Sequence, residues 1–129
     1  MTIVLDHQFR EQISHSDAGF PISFFHDEFA QLPDRSGPLH WHPDFEIATA
    51  QEGVLDFQVG RDHVILNPGD SIFINGNVLH SIRQQSGIQP DPMPLIVFDG
   101  AVVAAEDSSI HRQYIQPVKA CDSLPCVVF

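Results

Sequence analysis

The sequence predicts an all-β domain, a sandwich or barrel of short strands. Proline and glycine punctuate it about every ten residues, and the segments between them are short and rich in Val, Ile and Phe. Within one such segment Leu55, Phe57 and Val59 alternate with Val54, Asp56 and Gln58, the period of a strand with one face buried.

Residues 1–20 are polar with scattered apolar residues such as Ile3, Leu5, Phe9 and Ile13. They read as an N-terminal arm, laid over the barrel or frayed, ahead of a single barrel domain over residues 21–129. Strands are expected over 22–29, 40–50, 54–59, 64–66, 71–74, 79–83 and 95–98. Gly60-Arg61 closes a hairpin, because Gly tolerates positive φ. Asn67-Pro68-Gly69-Asp70 makes a second turn, with Pro presetting φ and Gly supplying the bend, and Asn75-Gly76-Asn77 makes a third. Residues 31–38 and 84–94 read as polar, proline-bearing loops, the second long enough to project or to move. After Gly100, residues 110–115 are expected to form a short helix or an irregular segment. The chain ends on the apolar run Val127, Val128, Phe129. Natural termini are usually polar, so this end reads as a cut through a longer protein.

A chain of 129 residues is long enough for one domain with its own core. Seventeen acids against five arginines and one lysine give a formal charge of −11. A phosphate backbone repels such a surface, which disfavours nucleic acid as a partner of this chain itself. Anionic membrane surfaces are disfavoured on the same ground, and no apolar run reaches the length of a bilayer crossing. The first ten residues contain Asp6 and Arg10 and do not form a secretory signal. Cys121 and Cys126, a lone C-x4-C pair, therefore read as reduced structural thiols of a cytoplasmic protein and not as half of a zinc site.

The chemistry concentrates in His40-Trp41-His42, followed by Glu46 and Gly53 and answered by Gly69-Asp70 and His80. Alternation puts His40, His42 and Glu46 on one strand face, continued by Ala48 and Ala50, with Trp41, Phe45 and Ile47 on the other. Pro43 is the weak point, since a proline inside a strand implies an edge or a bulge that could shift parity. His80 lies beyond the third turn, on a strand placed to pair beside the first. Three imidazoles and one carboxylate suit a divalent first-row metal (Zn, Fe, Mn, Ni or Cu) and do not choose among them. The alternative is a polar pocket whose histidines are hydrogen-bonded to the fold or to an organic ligand.

The spacing His40-x-His42-x3-Glu46-x6-Gly53 resembles the first cupin motif, and the run from Gly69-Asp70 through Asn75 and Asn77 to His80 resembles the second. Four segments are similar to the N-terminal sensor domain of arabinose-regulator (AraC) type bacterial transcription factors. They are Leu39-His-Trp-His-Pro-Asp-Phe-Glu46, Gly53-Val-Leu-Asp-Phe57, Leu66-Asn-Pro-Gly-Asp70 and Tyr114-Ile-Gln-Pro117. The resemblance covers residues 21–129. It implies a cupin double-stranded β-helix, a jelly-roll barrel of two sheets around a ligand cavity. It also implies that His40, His42, Glu46 and His80 occupy the positions that ligate metal in metal-bearing members. The chain departs at Asn75, where the second motif usually has proline, at Asn77, where it has glycine, and at Gln84, where it often has asparagine.

Two functions compete, with a stand-alone dimerising cupin that has no chemistry as a weaker third. In the first, the chain is the effector-sensing, dimerising domain of a regulator whose DNA-binding domain lies beyond Phe129. A small molecule, by resemblance often a sugar, would enter the cavity and alter how the N-terminal arm or the dimer interface presents that domain. In the second, it is a metal-dependent enzyme, such as a dioxygenase, isomerase or decarboxylase. Cupin folds host both; the first is preferred, because no acid/base constellation beyond the metal set is legible and because the second leaves the apolar end of the chain unexplained. A homodimer is expected either way, with Trp41, Phe45 and Ile47 offering apolar surface. His7, His15, His26, His63 and His111 read as surface or arm residues, and Trp41 as core packing. Asp70 reads as the backbone cap of its turn, and residues 106–109 as a solvated turn or helix start.

Overall fold

The computed structural model describes residues 3–17, 19–27, 32–85 and 92–129. Among the described residues the chain forms β1 Ile22–Asp27, β2 Phe45–Thr49, β3 Leu55–Val59, β4 Asp62–Leu66, β5 Ser71–Ile74, β6 His80–Gln84, β7 Met93–Phe98 and β8 Cys126–Val128. They make two sheets, one of five strands in the order β1-β7-β2-β5-β8 and one of three in the order β4-β3-β6, and every pairing is antiparallel. The core lies between the sheets and includes Ala48, Leu55, Phe57, Leu66, Ile72, Ile74 and Leu95. Removing Phe57 from water contributes roughly 2–3 kcal/mol. The alternation read in β3 holds, with Leu55, Phe57 and Val59 buried and Gln58 exposed.

Turn chemistry sets the register. Gly60 at φ 56° joins β3 to β4, and Gly69 at φ 95° bends the next connection. The Asp70 carboxylate accepts from the Asn67 amide at 3.0 Å, so it caps the turn as expected. Strand ends were missed at β4, which opens at Asp62, at β6, which Gln84 completes, and at β7, which Met93 opens, so the expected 84–94 loop is shorter at both ends. Its middle, 86–91, lies outside the described residues, as do residues 28–31, where the first expected strand was to end.

The expected strand over 40–50 is broken at Pro43. Only Phe45–Thr49 is a continuous ladder, between β5 and β7, whereas His40 bridges His80 at the start of β6. Pro43 lacks an amide to donate, and here the chain crosses from the three-stranded sheet to the five-stranded one.

At the C-terminal end a π-helical turn, His111–Ile115, runs into the short helix α1, Gln116–Lys119. The Ser108 hydroxyl accepts from the His111 amide at 3.1 Å and starts it. This segment lies close against the outer side of β2. A Cβ on Gly100 would sit 2.5 Å from Ile115 and 3.3 Å from the Phe45 ring. Phe45 also packs on Phe73 and Phe98, with ring centroids 5.5 Å away in each case. It is therefore buried within the molecule and is not surface for a partner, while Trp41 and Ile47 stay half-buried. The apolar end finds a place as β8, paired with β5. Cys121 and Cys126 are free thiols.

The N-terminal segment lies over Trp41. The Glu11 amide donates to the Trp41 carbonyl at 2.8 Å, and the Trp41 amide to Phe9 at 3.0 Å. The indole Nε1 donates to the Gln8 carbonyl at 3.0 Å, and the Arg10 guanidinium stands 5.4 Å from the ring centroid. Trp41 thus anchors the arm and does not fill the core. No helix among the described residues is long and apolar enough to cross a membrane.

Candidate metal centre

The four expected residues converge from three places in the fold. His40 and His80 face each other across a narrow antiparallel pair, exchanging backbone hydrogen bonds of 3.0 and 2.8 Å. Glu46 enters from β2, held opposite Ile74 and Val97. His42 sits on the crossing, and its carbonyl accepts from the Asn77 amide at 2.8 Å. One donor atom from each lies within 4.8 Å of the others, and all four residues are buried.

The hydrogen bonds behind the rings decide which nitrogen faces inward. His40 Nδ1 donates to Pro38 O at 2.8 Å, His42 Nδ1 to Asp44 O at 2.9 Å and His80 Nδ1 to Val78 O at 2.8 Å. A carbonyl only accepts, so each Nδ1 carries the proton and each neutral ring presents its Nε2 lone pair to the centre. His42 Nε2 and His80 Nε2 are buried and have no hydrogen-bond partner, an arrangement that costs about 1–3 kcal/mol per group when nothing is bound. His80 Nε2 lies 3.4 Å, and His42 Nε2 3.6 Å, from the Glu46 carboxylate. These separations are long for hydrogen bonds, yet ligands held ~2.1 Å from one tetrahedral ion lie about 3.4 Å apart. The donor set fits a metal ion.

Electrostatics favours the ligating protonation states at two of the four positions. Burial, reinforced by nearby His80, lowers the His40 imidazole to about 4. Burial opposes ionisation of Glu46, but His80 and His42 hold its carboxyl well below the usual carboxylate range. His42 moves the other way: burial lowers it, and Glu46 with Glu11 more than reverses the effect. Metal binding at His42 therefore competes with protons more than it does at His40.

Glu11 is the residue sequence reasoning missed. Its Oε2 lies 3.5 Å from His40 Nε2 and 4.0 Å from His42 Nε2. No local motif marks it, because its place depends on the Arg10–Trp41 bridge 31 positions along the chain. Beside the donors is a small, partly open cavity of about 30 Å³, walled by His40, Glu46, His80, Phe57, Met93 and Ile3 among others. That is room for about one water molecule. A larger groove of about 810 Å³ runs outside, past Asp62, Asn77, Lys119 and Asp122, and does not include the donors.

Two other histidines depart from the surface reading. His15 is part-buried and bonds both Ser23 Oγ and Asp44 Oδ2 at 2.6 Å, and His111 is buried near Gly100. His63 pairs with Asp56 on the surface, and His7 and His26 are exposed.

Residues 28–88 match the family model Cupin_2 (Cupin domain), a stretch just under half of the chain. Over 122 residues the chain is 25% identical to the "Uncharacterized HTH-type transcriptional regulator YdeC" of Bacillus subtilis (strain 168), with 95% of this chain and 41% of that protein aligned. The chain thus spans less than half the length of that relative. The crystal structure of a cupin 2 domain-containing protein from Halorhodospira halophila is similar at a TM-score of 0.48 and 14% identity, over 75% of this chain and 76% of that one. With its two antiparallel sheets and its domain match, the molecule has a cupin fold.

Proposed function

We propose that this cupin domain is the effector-sensing part of an AraC-type helix-turn-helix transcription regulator and carries a divalent transition metal on His40, His42, Glu46 and His80. The carrying observation is the alignment of 95% of the chain with 41% of a protein named as an HTH-type transcriptional regulator. The remaining length of that relative leaves room for separate DNA contact. The formal charge of −11 supports this division, because a surface so acidic repels DNA.

When bound, the metal (Zn, Ni, Fe or Mn) supplies a Lewis-acid site for an oxygen of a small effector such as a sugar. The chain's part is to aim three Nε2 atoms through their Nδ1–carbonyl bonds and to balance charge with Glu46. Because the cavity admits about one water and Ile3 forms part of its wall, an effector must displace the N-terminal segment. Effector binding and arm position are then linked, and the linkage shifts a regulator only by the difference in affinity between the two arm states. The same tight cavity weighs against a resident enzyme substrate. Two copies of the domain pair in the working regulator.

The coding sequence beyond Phe129 tests the regulatory reading. A basic helical stretch with two helix-turn-helix patterns supports it, and an immediate stop codon overturns it. Elemental analysis of wild type, His42→Ala and His80→Ala tests the metal. One equivalent is expected in wild type after loading and far less in the variants; no metal in loaded wild type would end this part of the proposal.

A further inference from the structure

We infer that Glu11 is a fifth ligand of this centre, so that a bound metal fastens the N-terminal segment across the mouth of the barrel. The inference rests on the metal reading above. Between His7 and Gln12 every residue is exposed except Glu11.

Alternation beside an isolated bridge explains how it arrives. Arg10 and Trp41 form a parallel bridge, and Arg10 places its guanidinium over the outer face of the indole. The next side chain, Glu11, turns to the opposite face, which is the one His40 and His42 present on either side of Trp41. Its Oε2 lies 3.5 Å from His40 Nε2 and 4.0 Å from His42 Nε2. Ligand atoms sharing one ion at about 2.1 Å lie roughly 3 to 4 Å apart, the range of these two separations. Charge points the same way. A divalent ion with three neutral imidazoles and Glu46 alone leaves one buried positive charge, and the second carboxylate brings the site to neutrality.

The test compares the full chain with Glu11→Gln, which keeps shape and removes the charge, and with His80→Ala, which removes a barrel ligand. Co²⁺ and Zn²⁺ are titrated against a competing chelator, Co²⁺ visible absorption reports coordination number, and amide exchange is followed over residues 9–12. In wild type, metal is expected to slow exchange at Glu11 and Gln12. In Glu11→Gln, affinity should fall about tenfold or more, the Co²⁺ bands should strengthen toward a four-coordinate spectrum, and metal should no longer protect the arm. If Glu11→Gln matches wild type in affinity, spectrum and exchange while His80→Ala loses metal, Glu11 is not a ligand and the four-residue centre stands. If wild type takes up neither ion, both readings fall together.

Discussion

At Asn77 the backbone sits at φ 66°, a region most side chains avoid and Asn tolerates. The cupin motif's glycine at this position is thereby explained, and so is the choice of replacement. The Asn77 amide donates to the His42 carbonyl, so the turn steadies a proposed ligand. Asn77→Gly is expected to melt near the wild-type temperature, whereas Asn77→Val should lose about 1–2 kcal/mol in a denaturant titration. The neighbouring Gly76 has no such latitude, since a Cβ there would lie 2.3 Å from the Pro43 carbonyl oxygen. Gly76→Ala should cost about 1–3 kcal/mol and also weaken metal uptake by moving the crossing that carries His42. Protons should act at this scale too. In the metal-free chain His40 falls from the ordinary 6.5 to about 4, so the folded state binds fewer protons there than the unfolded chain does. Its contribution to stability is complete above pH 6.5 and drains away as pH falls toward 4. The raised His42 acts on the other side of 6.5, its contribution complete below that value and lost as pH rises above it. Urea midpoints for wild type and His40→Gln between pH 7.5 and 4.5 separate the two, and the variant should show the smaller loss on acidification.

Among the elements, those built on local alternation were legible and those built on distant pairing were not. β3 could be read because Leu55, Phe57 and Val59 declare a buried face within five residues. The hazard at Pro43 was visible, but not its outcome, because that depends on which sheet each half of the segment joins. β8 is three residues long and exists only through its pairing with β5. The donor set was legible through spacing alone, while Glu11 was hidden because nothing near it in the chain refers to His40. Asn75 belongs to this scale as well. Its Nδ2 donates to Val118 O at 2.7 Å and Leu124 O at 3.0 Å, tying the third turn to the end of α1 and the approach to β8. Asn75→Ala leaves two part-buried carbonyls without that donor. It should destabilise by about 1–3 kcal/mol, with faster amide exchange at Asn75 and Phe129, whose amides bond across this edge.

For the whole molecule, the charge of −11 is a standing self-repulsion in the folded state. Raising monovalent salt toward about 0.15 M should raise the melting temperature of the metal-free chain modestly by screening it. A ligating divalent ion should add stabilisation that grows with the logarithm of its concentration above Kd and survives that salt. His80→Ala should keep the first response and lose the second, which distinguishes screening from ligation in one set of melts. The crossing at Pro43 carries a mechanical consequence. Because His40 and His80 belong to the three-stranded side and Glu46 to the five-stranded one, an ion held by all of them would be a cross-tie between two otherwise separate layers. Neither layer could then breathe alone, and the opening rates of β2 and β6 are expected to draw together once the tie is in place.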